Sequence, residues 1–389
     1  MKKTNCKIRI ANIIEEGRVG GPQIRNLAVA SALKKKKIHV TLIFPKKNSK
    51  ELAIYCKLSK IKYLQLSLTT PKQDWTILIK YLILFPFEVI SLAYFLKKKR
   101  FDLVHVSGGS WQFKGILAAK LSCTKVVWEL NDTYVPQLIK YIFLPLSFLA
   151  NAFIFASNST KRYYEKLTPS NKLFFLIQSP VDTNFFNPAK RYPVSNSLQK
   201  ILNKKIVIGT IANISPVKNL ISLLKSAKQL SSYANKIIFI VVGSVYESQK
   251  KYFKNLNNVI KDLNIKNFFF IGSRKDVRPL LKKIDIYVCS SKNESSPLSV
   301  WEAMSMKKAI ISTDVGDVGK FVVHKLNGLI VNVNDEIMLA NNIKKLINNA
   351  TLRKKFGKVS RQTAIKKLDL KICALAHIEA YNSIIKFIK

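Results

Sequence analysis

Residues 290–313 read SSKNESSPLSVWEAMSMKKAIIST, and within them Glu294 and Glu302 stand with seven residues between. Ser296-Pro297 has the form of a helix start, a serine N-cap followed by proline at the first helical position. That places Glu294 in the loop before the helix and Glu302 about a turn and a half into it. Between the acids, the N–H groups of Leu298, Ser299 and Val300 are expected to point outward at the positive end of the helix dipole, where an anion is stabilised. A carboxylate on each side of a phosphate-binding helix end suits a ligand whose diphosphate joins two hydroxyl-rich parts, as in a nucleotide sugar. Taken alone, two glutamates so spaced read as a solvated loop residue and an ordinary surface pair. The flanks change that reading. IDIYVCSS (284–291) is a short apolar run of the kind a buried parallel strand shows, and AIISTD (309–314) is another. Strand, loop, helix and strand make a βαβ unit, with the loop at the carboxyl end of the strand, where open α/β sheets bind ligands.

The alternation extends in both directions. Upstream, strands are predicted at 7–13, 39–44, 103–106, 125–130 and 153–157, with helices at 22–35, 74–97, 111–121 and 136–150 between them. Residues 179–204, rich in Pro, Asn and Ser, read as a linker. Beyond it strands at 206–212, 237–243 and 268–272 alternate with helices at 219–232, 248–263 and 276–283. This predicts an α/β chain with a doubly wound parallel sheet in each half. A chain of 389 residues is too long for one ordinary core, which agrees with two domains.

Several pieces in order resemble a known family. They are GGPQIRNLAVASALKKKKIHVTLI (20–43), FDLVHV (101–106), SPVDTNFFNP (179–188), IGTIANISPVKNLISLLKSA (208–227), FIVVGS (239–244) and FIGSRKDVRPLLKKIDIYVCSS (270–291), ahead of the two glutamates. Together they resemble the retaining glycosyltransferases of family 4, whose E-x7-E motif matches Glu294 and Glu302. The resemblance implies the GT-B fold, two Rossmann-like domains facing across a cleft. It implies an acceptor-binding domain over 1–180, a nucleotide-sugar-binding domain over 205–369, and a final helix over 370–389 packing back on the first. It also implies roles. Glu302 binds ribose hydroxyls, Glu294 holds the transferred sugar, and Lys218 with the amides of Leu298 and Ser299 stabilises the departing diphosphate. Gly20-Gly21 matches a glycine pair that contacts donor diphosphate or acceptor, and Gly316 a glycine bounding the donor pocket.

The chain departs from the family pattern at several positions. Asn213 stands where the family has a phosphate-binding arginine, and Asn219 where it has a glycine after the lysine. Losing a guanidinium removes a bidentate phosphate clamp, and Arg274 is a candidate replacement. Asn131, followed by Asp132, falls where the family often has a donor-facing histidine; Asn131 can donate a hydrogen bond but carries no charge. The same dipeptide also reads as a strand-end turn with Asx capping. His105, at the carboxyl end of LVHV, either lines the acceptor side of the cleft or does not reach it. Lys320 replaces a common glutamate, and His39 reads as structural.

Lys and Arg number 66 against 22 Asp and Glu, a formal charge of +44. Such a surface attracts polyanions. No helix-turn-helix, zinc finger or RNA-binding aromatic signature accompanies it, so an anionic membrane surface is the expected partner rather than a specific nucleic acid. Residues 76–96 and 141–157 are apolar and flanked by Lys and Arg. Lys80, Pro86 and Glu88 argue against the first crossing a bilayer, and the second is short for a span. They read as helices dipping one face into a leaflet, or equally as core helices. The five cysteines are scattered and lack C-x-x-C spacing, which points to reduced thiols rather than disulfides or zinc. The opening MKKTNCKIRIANII reads as a charged start into a strand rather than a signal peptide.

The reading is a retaining, metal-independent glycosyltransferase using a nucleotide sugar, expected to be UDP-linked, with no further cofactor. The acceptor is expected to be a lipid-linked saccharide or oligosaccharide of a bacterial surface polymer, reached from the cytoplasmic face of the plasma membrane. The alternatives are a nucleotide-sugar epimerase of the same fold and a basic, membrane-associated protein that kept the fold without turnover.

Overall fold

The computed structural model describes residues 8–70, 75–202 and 204–386. The chain divides into two compact units, Met1–Pro180 with Leu370–Lys389, and Val181–Asp369.

The first unit runs β1 (Arg9–Ile13), α1 (Gly21–Lys34), β2 (His39–Pro45), α2 (Lys50–Leu58), β3 (Lys62–Leu66), α3 (Trp75–Lys99), β4 (Leu103–Ser107) and α4 (Phe113–Leu121). It continues through β5 (Val126–Leu130), α5 (Gln137–Ser147), β6 (Ala152–Phe155), α6 (Asn158–Tyr164) and β7 (Leu173–Leu176). These strands form one parallel sheet in the order β3-β2-β1-β4-β5-β6-β7. The chain winds outward from β1 to β3, returns to β4 and winds the other way, so the strand order switches between β1 and β4. Both faces are covered, as a parallel sheet requires. On one, Ile10, Leu33, Leu42 and Ile154 pack with Tyr381 and Ile384. On the other, Val106, Trp128 and Phe155 pack with Leu92 and Leu96 of α3, Ile116 of α4 and Phe143 of α5.

The second unit opens with α7 (Asn196–Leu202) and β8 (Ile206–Ile211), followed by a short 3-10 turn at Pro216–Lys218. Then come α8 (Leu220–Gln229), β9 (Ile237–Val242), α9 (Lys250–Asp262), β10 (Phe268–Gly272), α10 (Arg278–Lys283), β11 (Ile286–Cys289) and α11 (Leu298–Ser305). After them follow β12 (Ala309–Thr313), α12 (Val318–Phe321), β13 (Gly328–Val331), α13 (Glu336–Ile347) and α14 (Ala350–Thr363). Its parallel sheet has the order β10-β9-β8-β11-β12-β13, with the switch between β8 and β11. A helix α15 (Leu370–Lys386) ends the described chain and belongs to the first unit, where the Lys125 ammonium donates to the Ile385 carbonyl at 2.7 Å.

The expected linker is different in kind. Val181 and Leu202 are buried in the core of the second unit, with Phe186, Tyr192 and Leu198 against it. The polar composition of 179–204 conceals a few apolar anchors that fasten the segment down. Of the cysteines, Cys56, Cys123, Cys289 and Cys373 are free, and Cys6 lies outside the described residues.

Candidate active site

The loops after β8 and β11 flank the switch point of the second sheet, and the structure laces them together. The Lys292 amide donates to the Val217 carbonyl at 2.7 Å, and the Ser290 hydroxyl to the Lys218 carbonyl at 2.9 Å. The Thr313 hydroxyl at the end of β12 donates to the Ser291 carbonyl at 2.7 Å. Gly316 closes the third side. It adopts φ +55°, and a Cβ there would sit 2.3 Å from the carbonyl oxygens of Glu294 and Ser295. Only glycine lets the 314–317 turn lie against that backbone.

Within this frame the Lys218 ammonium and the Glu294 carboxylate form an ion pair through Oε1. The Ser291 hydroxyl donates to the same oxygen at 2.9 Å. Burial alone pulls the Lys218 pKa down, but the Glu294 charge and hydrogen bond more than offset this, and the net shift is upward. Among the described residues nothing is bonded to Glu294 Oε2. Glu302 differs: no hydrogen bond or ion pair from a described residue reaches its carboxylate, and burial pushes its pKa up to about 8.

The helix start itself is shifted by one residue from the expected one. Pro297 is the N-cap, with φ −72° and ψ 103°, and α11 begins at Leu298 without a side-chain cap. Ser296 does other work, its hydroxyl oxygen accepting from the Trp301 indole N–H at 3.1 Å. The Val300 amide is spent inside the helix on the Pro297 carbonyl at 3.1 Å. The free donors therefore number two rather than the expected three: the Leu298 and Ser299 amides have no hydrogen-bond partner among the described residues.

Of the departures from the family pattern, Asn219 has the clearest reason. It sits at φ 50° and ψ 45°, the left-handed region that glycine fills readily and asparagine tolerates. Its side-chain amide holds the turn through Ser222 Oγ at 2.8 Å and Asn334 Oδ1 at 3.1 Å. Asn213 is half-buried and donates to the Tyr246 hydroxyl at 3.1 Å. Arg274 is exposed and donates to the Ser273 carbonyl at 3.1 Å; no described contact brings it to Lys218. Lys320 is exposed beside the Phe321 ring.

The other candidates lie in the first unit. Gly20 caps α1 and Gly21 is its first residue, the Gly20 carbonyl accepting from the Ile24 amide at 3.1 Å. Asp132 is tied to other elements of the first unit rather than to its own turn: its carboxylate accepts from the Ser110 amide at 3.1 Å, the Ser110 hydroxyl at 2.8 Å and the Tyr164 hydroxyl at 2.6 Å. Asn131 donates to Glu129 Oε1 at 3.3 Å, and its Oδ1 is buried with no partner among the described residues.

His105 does not line a surface. It is 1% exposed, with Nδ1 2.7 Å from the Tyr381 hydroxyl and Nε2 3.0 Å from Glu129 Oε2. Its strand-end position suggested access, but α15 covers that face of the sheet. His105, Glu129 and His377 gather candidate ligand atoms within 4.8 Å of one another, all buried. Glu129 already has its cation, since Arg25 forms an ion pair with it. Burial raises the Glu129 pKa, yet Arg25 and then His105 bring it down to about 2.

The sequence reading passed over Ser291 and Glu15. Ser291 orients Glu294, and nothing separates it by type from the many serines of the chain. Glu15 is fully buried after β1. It accepts at Oε1 from the Lys114 amide at 2.9 Å and the Gly115 amide at 3.3 Å, so it caps the start of α4.

Comparison with known proteins completes the identification. The structure of Anabaena HepE in complex with UDP and glucose matches with a TM-score of 0.82 at 18% identity, covering 97% of this chain and 100% of that one, which shows the GT-B fold. Residues 19–185 match the family model Glycosyltransferase Family 4, and residues 196–363 match Glycosyl transferases group 1. The chain is a GT-B glycosyltransferase. More particularly, its two halves match the models of the family 4 and group 1 glycosyltransferases, one within each half. It is similar to the N,N'-diacetylbacillosaminyl-diphospho-undecaprenol alpha-1,3-N-acetylgalactosaminyltransferase of Campylobacter jejuni, 27% identical over 77% of this chain and 83% of that protein. It is also similar to the UDP-Gal:alpha-D-GlcNAc-diphosphoundecaprenol alpha-1,3-galactosyltransferase of Escherichia coli, 24% identical over 64% of this chain and 67% of that protein.

Proposed function

We propose that this chain transfers a sugar, with retention of configuration and without a metal, from a UDP-linked donor to a lipid-linked saccharide of a bacterial surface polysaccharide or lipopolysaccharide. The donor is held by the second unit and the acceptor by the first. The observation that carries the reading is the grouping around the second switch point: a protonated Lys218 held by Glu294, two uncapped helix amides, and an unanswered carboxylate at Glu302. The names of the relatives support the donor and acceptor classes.

In this reading the diphosphate lies against the Leu298 and Ser299 amides and Lys218. They stabilise the charge that grows as the sugar departs, the main electrostatic task of the reaction. Glu294 keeps Lys218 charged through one oxygen and offers the other to a sugar hydroxyl. Glu302 accepts hydrogen bonds from the ribose. No side chain of this grouping presents itself as a covalent nucleophile, so the acceptor hydroxyl attacks the face from which the phosphate leaves, and the leaving phosphate takes its proton. Gly20 and Gly21, at the start of α1, and Asn131, beyond β5, are the proposed contacts from the first unit.

Calorimetric titration with UDP-, GDP- and ADP-sugars tests this. Binding of a UDP-sugar that persists in EDTA and weakens roughly ten- to a hundredfold in Glu302→Ala is expected. Undiminished binding by that variant, or no binding across the panel, contradicts the reading.

A further inference from the structure

We infer that the outer faces of α3 and α5 form one docking surface for an anionic phospholipid leaflet. This rests on the lipid-linked acceptor proposed above and names the surface that brings the protein to it. Along α3, Trp75, Ile79, Leu82, Ile83, Phe87, Ile90 and Tyr94 are all exposed. Their three- and four-residue spacing draws one continuous apolar stripe. The opposite stripe of the same helix, with Val89, Leu92 and Leu96, is buried in the core that also takes Phe143 of α5. Beyond α4, on the same side of the sheet, α5 and its flanks expose Leu138, Tyr141, Ile142 and Phe148. Apolar exposure of this extent marks an interaction surface.

Length and apolar composition would let α3 cross a bilayer, and most of the helix is not buried. Its inner stripe forbids that. Glu88 is buried in an ion pair with Lys114 and accepts from the Thr69 amide at 2.9 Å, so the helix is bound to its domain. It lies in the plane of an interface rather than through it.

Charge decides what covers the stripe. Lys80 and the run Lys97, Lys98, Lys99 and Arg100 are exposed beside it, while between residues 75 and 150 the only exposed acid is Asp102. A second copy would bring the same unmatched cations, and the same +44 overall, to the contact. An anionic leaflet supplies both the hydrocarbon and the countercharge.

The test is co-sedimentation of the full chain with vesicles of phosphatidylcholine with and without phosphatidylglycerol. The triple variant Ile83→Gln, Phe87→Gln, Ile90→Gln is run alongside, and all three positions are exposed, so its fold is kept. Binding is expected to phosphatidylglycerol vesicles and to weaken as salt rises. The triple variant should bind at least about tenfold more weakly. Brominated lipid should quench the wild-type emission more than that of Trp75→Phe.

Equal binding by the triple variant, or equal binding to both vesicle types, overturns the proposal. So does a dimer in sedimentation velocity that the triple variant dissolves, which would give the face to a second copy. Donor titration without lipid separates the two readings: a triple variant that binds the UDP-sugar but not vesicles leaves the enzyme reading standing, and a wild type that binds vesicles but no nucleotide sugar defeats that reading alone.

Discussion

The two sheets share one winding plan, yet their switch points are finished in opposite ways. Between β1 and β4 the first unit fills its own crevice. Glu15 reaches across and caps α4, its amide donates to Gln112 Oε1 at 2.6 Å, and Lys114 pairs with Glu88. Between β8 and β11 the second unit leaves α11 without a side-chain cap and Glu302 without a partner among the described residues. The acids at the two switch points differ only in degree, burial pushing Glu15 up to about 7 against the opposing Lys114 charge and two backbone hydrogen bonds; the sharper contrast is with Glu129 on β5. Glu129 is answered by Arg25 and held down to about 2, whereas Glu302 is pushed up to about 8. A helix start capped from within is spent on stability. One left open keeps its donors for a ligand.

The contrast is broken most severely at Arg25. Arg25→Met removes the cation from a buried carboxylate, which also loses its partner for holding a low pKa. Breaking such a pair costs roughly 3–5 kcal/mol, and urea unfolding of the purified variant should show a loss of that size. Replacing both members, Arg25→Met with Glu129→Leu, should recover most of it. A single variant as stable as the wild type would mean that Glu129 is balanced by other groups.

At Glu302 the effect falls on binding instead. Hydrogen bonds to a charged group are worth about 1.5–3 kcal/mol, so Glu302→Ala should weaken UDP-sugar binding by roughly ten- to a hundredfold. Stability should move the other way with pH. The folded chain holds a proton on Glu302 up to about pH 8, and the unfolded chain releases it near the ordinary value of 4.5. The folded state therefore binds more protons in that window, and the contribution of this group to stability is lost as pH rises through it. Thermal unfolding of Glu302→Gln should match the wild type at acid pH and exceed it by a growing margin toward pH 8. Ribose hydroxyls need the ionised form, so donor binding at neutral pH should release protons. Titrations in two buffers of different ionisation enthalpy measure that release, and an identical heat in both would remove Glu302 from the ribose.

Much of the fold was legible because parallel strands buried on both faces read as apolar runs, as at IVIGTI (206–211) and AIIST (309–313). The strands passed over, β3, β7 and β13, all lie at sheet edges, and β7 (LFFL) and β13 (GLIV) are apolar but only four residues long. β3 is KYLQL, a strand with no fully buried residue. In the candidate site the glutamates, Lys218 and Gly316 were visible because they sit at strand ends within a recognisable order. The identity of the cap, Pro297 rather than Ser296, was not. It depends on the ψ angle of one residue and on whether a serine hydroxyl turns to an amide or to the Trp301 indole. His105 misled for a related reason: nothing near β4 in sequence announces that a helix from the far end of the chain will cover it.

Two backbone variants sharpen how far the open switch point depends on its frame. Gly316→Ala adds a methyl 2.3 Å from two carbonyl oxygens at a positive φ, so the 314–317 turn and the Glu294 loop have to separate. Strain of this kind costs on the order of 1–3 kcal/mol, and UDP-sugar affinity should fall with thermal stability, because Glu294 moves with its backbone. Asn219→Ala tests the other side of the crevice more gently. Alanine in the left-handed region costs roughly 1–2 kcal/mol, and the bonds to Ser222 and Asn334 are lost as well. Asn219→Gly loses the same bonds but keeps the conformation, so it should be the more stable of the two and hold Lys218 against Glu294. If glycine proves no better than alanine, then the side-chain amide, and not the backbone angle, is what this position supplies, and the match of Asn219 to a family glycine loses its physical basis.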